Sequence, residues 1–130
     1  MPVRGIRGAI DILDDQPNEI LSATRDLLQA ILRENPSLKA GDVASILFTL
    51  TDDLNSAYPA QAAREMGWIE VPLMCGREVP VPGSLPRCIR VLFLWNTNVS
   101  QENVRHVYLR GTASLRPDMQ VQKQPQEEEF

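Results

Sequence analysis

From Val3 to Leu13 apolar residues alternate with small or charged ones: Ile6, Ile10 and Ile12 share one face, Gly5, Arg7 and Ala9 the other. This pattern predicts an opening strand. Gly5 and Gly8 flank Arg7, as suits a strand whose backbone something must approach closely. Asp14-Asp15-Gln16-Pro17 then offers capping and first-turn chemistry. Ile20, Leu21, Thr24, Leu27, Leu28, Ile31 and Leu32 follow at helical spacing, with Glu19, Asp26, Gln29 and Arg33 mostly outside the stripe. The spacing predicts a one-sided helix of about five turns, ended by Asn35-Pro36.

Val43 to Thr51 is almost continuously apolar and reads as a second, central strand. A shorter helix fits Pro59 to Met66, stopped by Gly67. Trp68 to Cys75 reads as a third strand, kinked or at an edge because of Pro72. A loop rich in proline and glycine, Val79 to Pro86, leads to a strand from Cys88 to Trp95. After a turn at Asn98 to Gln101, His106 to Leu109 and Thr112 to Leu115 give the last strand pieces. The order predicts an α+β fold, a mixed β-sheet packed on two helices. Helices on one face leave the other uncovered, and self-association would cover it.

Composition narrows the picture. The 130 residues make one domain, with ordinary apolar and charged fractions. A net charge of −4 argues against nucleic acid or an anionic membrane as partner. No stretch is long enough to span a membrane, and Met1-Pro2-Val3-Arg4 runs straight into a strand, so a cytoplasmic protein is expected. Cys75 and Cys88 lack C-x-x-C spacing and there is one histidine, so no metal site is expected and both cysteines read as small buried residues. The tail over 119–130 is too polar to order itself.

The candidate chemistry lies with arginines. Arg90 interrupts the apolar run Cys88-Ile89-Arg90-Val91-Leu92-Phe93-Leu94-Trp95, and a guanidinium there cannot shed its charge. It either pairs internally, with Glu78 the nearest candidate, or meets an anionic ligand. Arg7 is either a solvated strand residue or a second cation in the same pocket. Tyr108 reads as packing more readily than as catalysis. Glu78 could accept a substrate hydroxyl but reads more readily as a solvated loop carboxylate, and His106 reads as structural. Nucleophile elbows, phosphate loops and dinucleotide fingerprints are absent from the sequence. A reaction here must be one that positioning and fixed charge can accelerate.

Five blocks occur in order: Arg4-Gly5-Ile6-Arg7-Gly8-Ala9, Val71-Pro72-Leu73-Met74-Cys75 with Glu78, Cys88-Ile89-Arg90-Val91, Arg105-His106-Val107-Tyr108-Leu109, and Leu115-Arg116-Pro117-Asp118. Together they resemble the AroH class of monofunctional chorismate mutases, over a domain spanning 1–118. The resemblance implies rearrangement of chorismate to prephenate, on the route to phenylalanine and tyrosine, in a homotrimer with a barrel-like core. It implies sites between subunits and no cofactor or metal. By the same resemblance, Arg90 meets the ether oxygen and a carboxylate, Arg7 and Tyr108 hold a carboxylate, and Glu78 with the backbone of Cys75 binds the ring hydroxyl. Tyr58, Ala60, Leu73 and Met74 form an apolar wall, Arg64 and Arg116 supply charge at the mouth, and Leu115 with the tail closes the site. Tyr58 and Gln61 depart from the family's phenylalanine and lysine at those positions. Two other readings remain open: a YjgF-like imine or enamine deaminase, and a carboxylate-binding module without catalysis.

Overall fold

The computed structural model describes residues 1–115; Arg116 and the tail lie outside the described residues. Five strands and two helices follow in the order β1 (Val3–Asp11), α1 (Pro17–Glu34), β2 (Val43–Leu50), α2 (Ala60–Glu65), β3 (Leu73–Arg77), β4 (Cys88–Asn96) and β5 (Val107–Tyr108). The sheet runs β3-β2-β4-β1-β5. β4 is antiparallel to β1 and β2, while β2–β3 and β1–β5 are parallel. The expected mixed α+β sheet is therefore present.

Both helices cover one face. Ile20, Leu27, Leu28 and Ile31 of α1 and Ala60 and Ala63 of α2 join Ile6, Ile46, Phe48, Ile89, Phe93 and Trp95 in one buried cluster. Burying each large apolar side chain of this kind contributes about 1.5–3 kcal/mol. Gly8 is the close approach suggested by the glycines around Arg7: a Cβ there would lie 3.0 Å from both Ile31 Cδ1 and Val91 Cγ1. Gly67, at φ +95°, lets the chain turn out of α2 where a side chain would be strained.

Three local expectations are corrected. Trp68 to Val71 is not strand, because Trp68 N–H donates to Ala63 O at the end of α2 and the indole packs edge-on against Phe93. Pairing begins only after Pro72, whose carbonyl accepts Ile46 N–H. The segment after Tyr108 leaves the sheet rather than continuing as strand to Leu115. Arg110 sits at φ +57°, Thr112 Oγ1 donates to the Ala9 carbonyl, and a 3₁₀ turn follows over Arg110–Ser114. Asp14 and Asp15 do not cap α1; Gln16 occupies that position without a side-chain bond, and Asp15 reaches across to the loop before α2.

Candidate active site

Strand register lays two rows of residues across the face turned away from the helices. Gly76, Thr49, Arg90, Ala9 and Tyr108 are neighbours in one row, and Met74, Leu47, Leu92 and Arg7 in the next. Glu78 follows β3 on the same face by alternation, fixed by its own N–H to Leu50 O at 2.9 Å. A cleft of about 300 Å³ opens among them, lined by Arg7, Glu78, Arg90 and Tyr108 together with Leu47, Thr49 and Leu92. Two guanidinium groups and one carboxylate give it a positive balance, which suits an anionic guest.

Arg90 is held in place by the start of β4, and its Nε–H is left without a hydrogen bond. Just before β4, Arg87 takes φ +49°, its N–H donating to both Asp53 carboxylate oxygens and its Nε to Ile12 O. Thr51 Oγ1 accepts Cys88 N–H at 2.9 Å and donates to Asp53, so the first residues of β4 are fixed. Arg90 Nε stands 3.5 Å from Glu78 Oε2. It is buried and makes no hydrogen bond. Glu78 thus attracts the guanidinium without satisfying that N–H, and the two sequence readings of Arg90 meet in one geometry. Arg7 N–H donates to His106 Nδ1 at 2.9 Å, a structural role for the histidine. No carboxylate among the described residues pairs with Arg7.

Cys88 points to the same face and is enclosed by Ala9, Tyr108, Leu85 and Leu115. Burial pushes its thiol up to about 11, against the opposing pull of Arg90, so it stays neutral near pH 7. This is the inert residue expected from sequence. Among the described residues no cluster of three or more His, Cys, Asp or Glu could hold a metal.

The other sequence-derived residues are not in the cleft lining, though Leu115 and Met74 border residues that are. Leu115 packs beside Tyr108. Tyr58 is 71 % exposed on the loop before α2, Ala60 is buried at the start of that helix, and Arg64 is exposed. Leu73 and Cys75 pack toward the helices, while Met74 is exposed on the open face of the edge strand. The loop carrying Tyr58 is tied down by Asp15, which accepts bonds from Asn55 N–H and from Ser56 N–H and Oγ–H. The Ser56 hydroxyl above all holds the Asp15 carboxyl below its usual range. One chain therefore carries a charged cleft and, separately, an apolar and cationic edge. Thr49 and Leu47 were missed in the sequence, and Leu92 was not named as a site residue. Their one signal is alternation, which puts them on the face of Arg90.

The profile of the chorismate mutase type I family matches residues 3–119. The chain belongs to that family. It is 56 % identical over 118 residues to chorismate mutase AroH of Thermus thermophilus, covering 91 % of this chain and 97 % of that protein. It is 44 % identical over 124 residues to chorismate mutase AroH of Bacillus subtilis, covering 95 % and 97 % of the two chains. The solved chorismate mutase from Clostridium thermocellum superposes with a TM-score of 0.82 at 44 % identity, over 85 % of this chain and 97 % of that one. The mutase is an isomerase that converts chorismate to prephenate, a step of aromatic amino acid biosynthesis. No helix among its described residues is long and apolar enough to cross a membrane. The deaminase and the passive binding module are set aside with this assignment.

Proposed function

We propose that the cleft around Arg90 is where chorismate rearranges, and that a second copy of the chain completes it within a homotrimer. The observation carrying this reading is the buried Arg90 Nε–H without an acceptor, in a cleft of positive balance. Chorismate carries two carboxylates. Its ether carbon–oxygen bond breaks ahead of carbon–carbon bond formation, so negative charge gathers on the ether oxygen. A fixed guanidinium aimed at that oxygen interacts more strongly with the transition state than with the substrate, which raises kcat. Arg7 and Tyr108 hold a carboxylate and fix the reactive conformation. Glu78 accepts the ring hydroxyl.

The cleft of one chain lacks a wall, and the Tyr58, Ala60, Arg64, Met74 edge lacks a cleft. Docking the edge of one subunit against the cleft of its neighbour supplies both, and lets the Cys75 backbone on edge strand β3 reach the ring hydroxyl. It also covers Leu47, Leu92 and Leu94, each more than a third exposed. In this reading Arg116 adds charge at the mouth of the site, Leu115 with the tail over 119–130 closes the domain spanning 1–118, and the enzyme works in the cytoplasm without cofactor or metal. The test is purified protein with chorismate, followed by loss of chorismate absorbance and appearance of prephenate, beside its sedimentation. A trimer that turns over is expected. A monomer that turns over equally well would contradict the shared site.

A further inference from the structure

Thr49 is the residue of β2 directly beside Arg90 on the cleft face, in a row with Gly76, Ala9 and Tyr108. Its Oγ1 donates to Glu78 Oε2, the same oxygen that faces Arg90 Nε. The sheet does not need this hydroxyl, because the β2–β4 ladder is made by backbone groups through Thr49↔Arg90. A side chain on the strand next to Arg90 therefore decides where the carboxylate points.

We propose that Thr49 is a positioning residue of the mutase, pinning Glu78 through Oε2 so that Oε1 is turned to the substrate's hydroxyl and the guanidinium keeps its aim. Both contacts of Glu78 among the described residues fall on Oε2, which leaves Oε1 for the ligand. Without the hydroxyl, the carboxylate is free to swing onto Arg90 and form the full hydrogen bond that it now withholds. The donor that catalysis needs is then occupied. Thr49 acts through Glu78 and touches no substrate atom itself. The inference rests on the proposed site and refines it.

The experiment is steady-state kinetics with chorismate for Thr49→Val, Thr49→Ser and Glu78→Ala, and for Thr49→Val combined with Glu78→Ala. Thr49→Val keeps the shape and removes the donor, so kcat/KM is expected to fall about tenfold, the usual worth of a hydrogen bond to a charged group. Most of the fall lies in kcat, and the melting temperature stays near wild type. Thr49→Ser restores most of kcat. In the Glu78→Ala background Thr49→Val costs nothing further, because the pair acts as a unit. If Thr49→Val does not fold, Thr49→Ala in both backgrounds gives the same comparison. Wild-type kinetics in Thr49→Val, or an equal loss with and without Glu78, overturns the inference while leaving the site intact. A wild-type protein that leaves chorismate unchanged overturns both.

Discussion

Arg90 and Glu78 face each other at 3.5 Å with side chains 36 % and 24 % exposed, a partly exposed ion pair without a hydrogen bond at Nε. Such pairs contribute about 1 kcal/mol or less to stability. Glu78→Ala should therefore barely move the melting temperature, while chorismate turnover drops well beyond tenfold. Calorimetry beside kinetics checks this. A large loss of stability with modest loss of rate would make the pair structural.

Leu92, in the cleft lining, and Leu94, just outside it, stand on the open face at 37 % and 38 % exposure. Leu94→Lys places a charge there without touching the cleft lining or the helix-side core. If the site is shared as proposed, the substituted chain is expected to sediment as a monomer and to lose activity. A fully active monomer would show that one chain suffices.

Gly8 packs beneath α1, where an added Cβ would come within 3.0 Å of Ile31 and Val91 and 3.2 Å of Leu27. Gly8→Ala is expected to destabilise the fold by about 1–3 kcal/mol through overpacking. Denaturant unfolding measures it. Because Gly8 lies between Arg7 and Ala9, the remaining folded fraction should also show a raised KM.

The Cys88 thiol sets an alkaline limit. Burial raises it from 9.0 to about 11, so above pH 9 the unfolded chain releases this proton before the folded one does. Stability therefore falls with rising pH across that window, by up to about 3 kcal/mol in all. Unfolding curves at pH 8 to 11 should steepen less for Cys88→Ala than for wild type, even though the variant starts lower through its cavity. Parallel curves would show that the thiol does not contribute.

Much of this was legible in the sequence because period and burial agree. Ile6, Ile10 and the stripe from Ile20 to Ile31 point to one core, and alternation alone set Arg90 opposite Ile89 and Val91. Strand ends were not legible where a side chain competes with the ladder. The Ala9 carbonyl already takes its ladder bond from Leu109 N–H. Beyond it the Asp11 carboxylate captures Gly111 N–H and Arg110 Nη1 donates to the Asp11 carbonyl, the groups a longer β5 would have needed. Trp68 belongs to the end of α2. Arg7, Glu78, Arg90 and Tyr108 were each ambiguous singly and converge only through cross-strand register. Thr49 was invisible because its partner is 29 residues away and its neighbours are apolar.

The most direct measurement is kcat for Arg90→Lys in a protein shown to remain folded. Lysine keeps the charge and loses the planar fork to which the proposed site assigns the ether oxygen. Loss of such a donor costs about 2.7–4 kcal/mol, so kcat is expected to fall by a factor of about a hundred to a thousand with chorismate still bound. A kcat within a few-fold of wild type would contradict the claim that the fixed guanidinium of Arg90 carries the rearrangement.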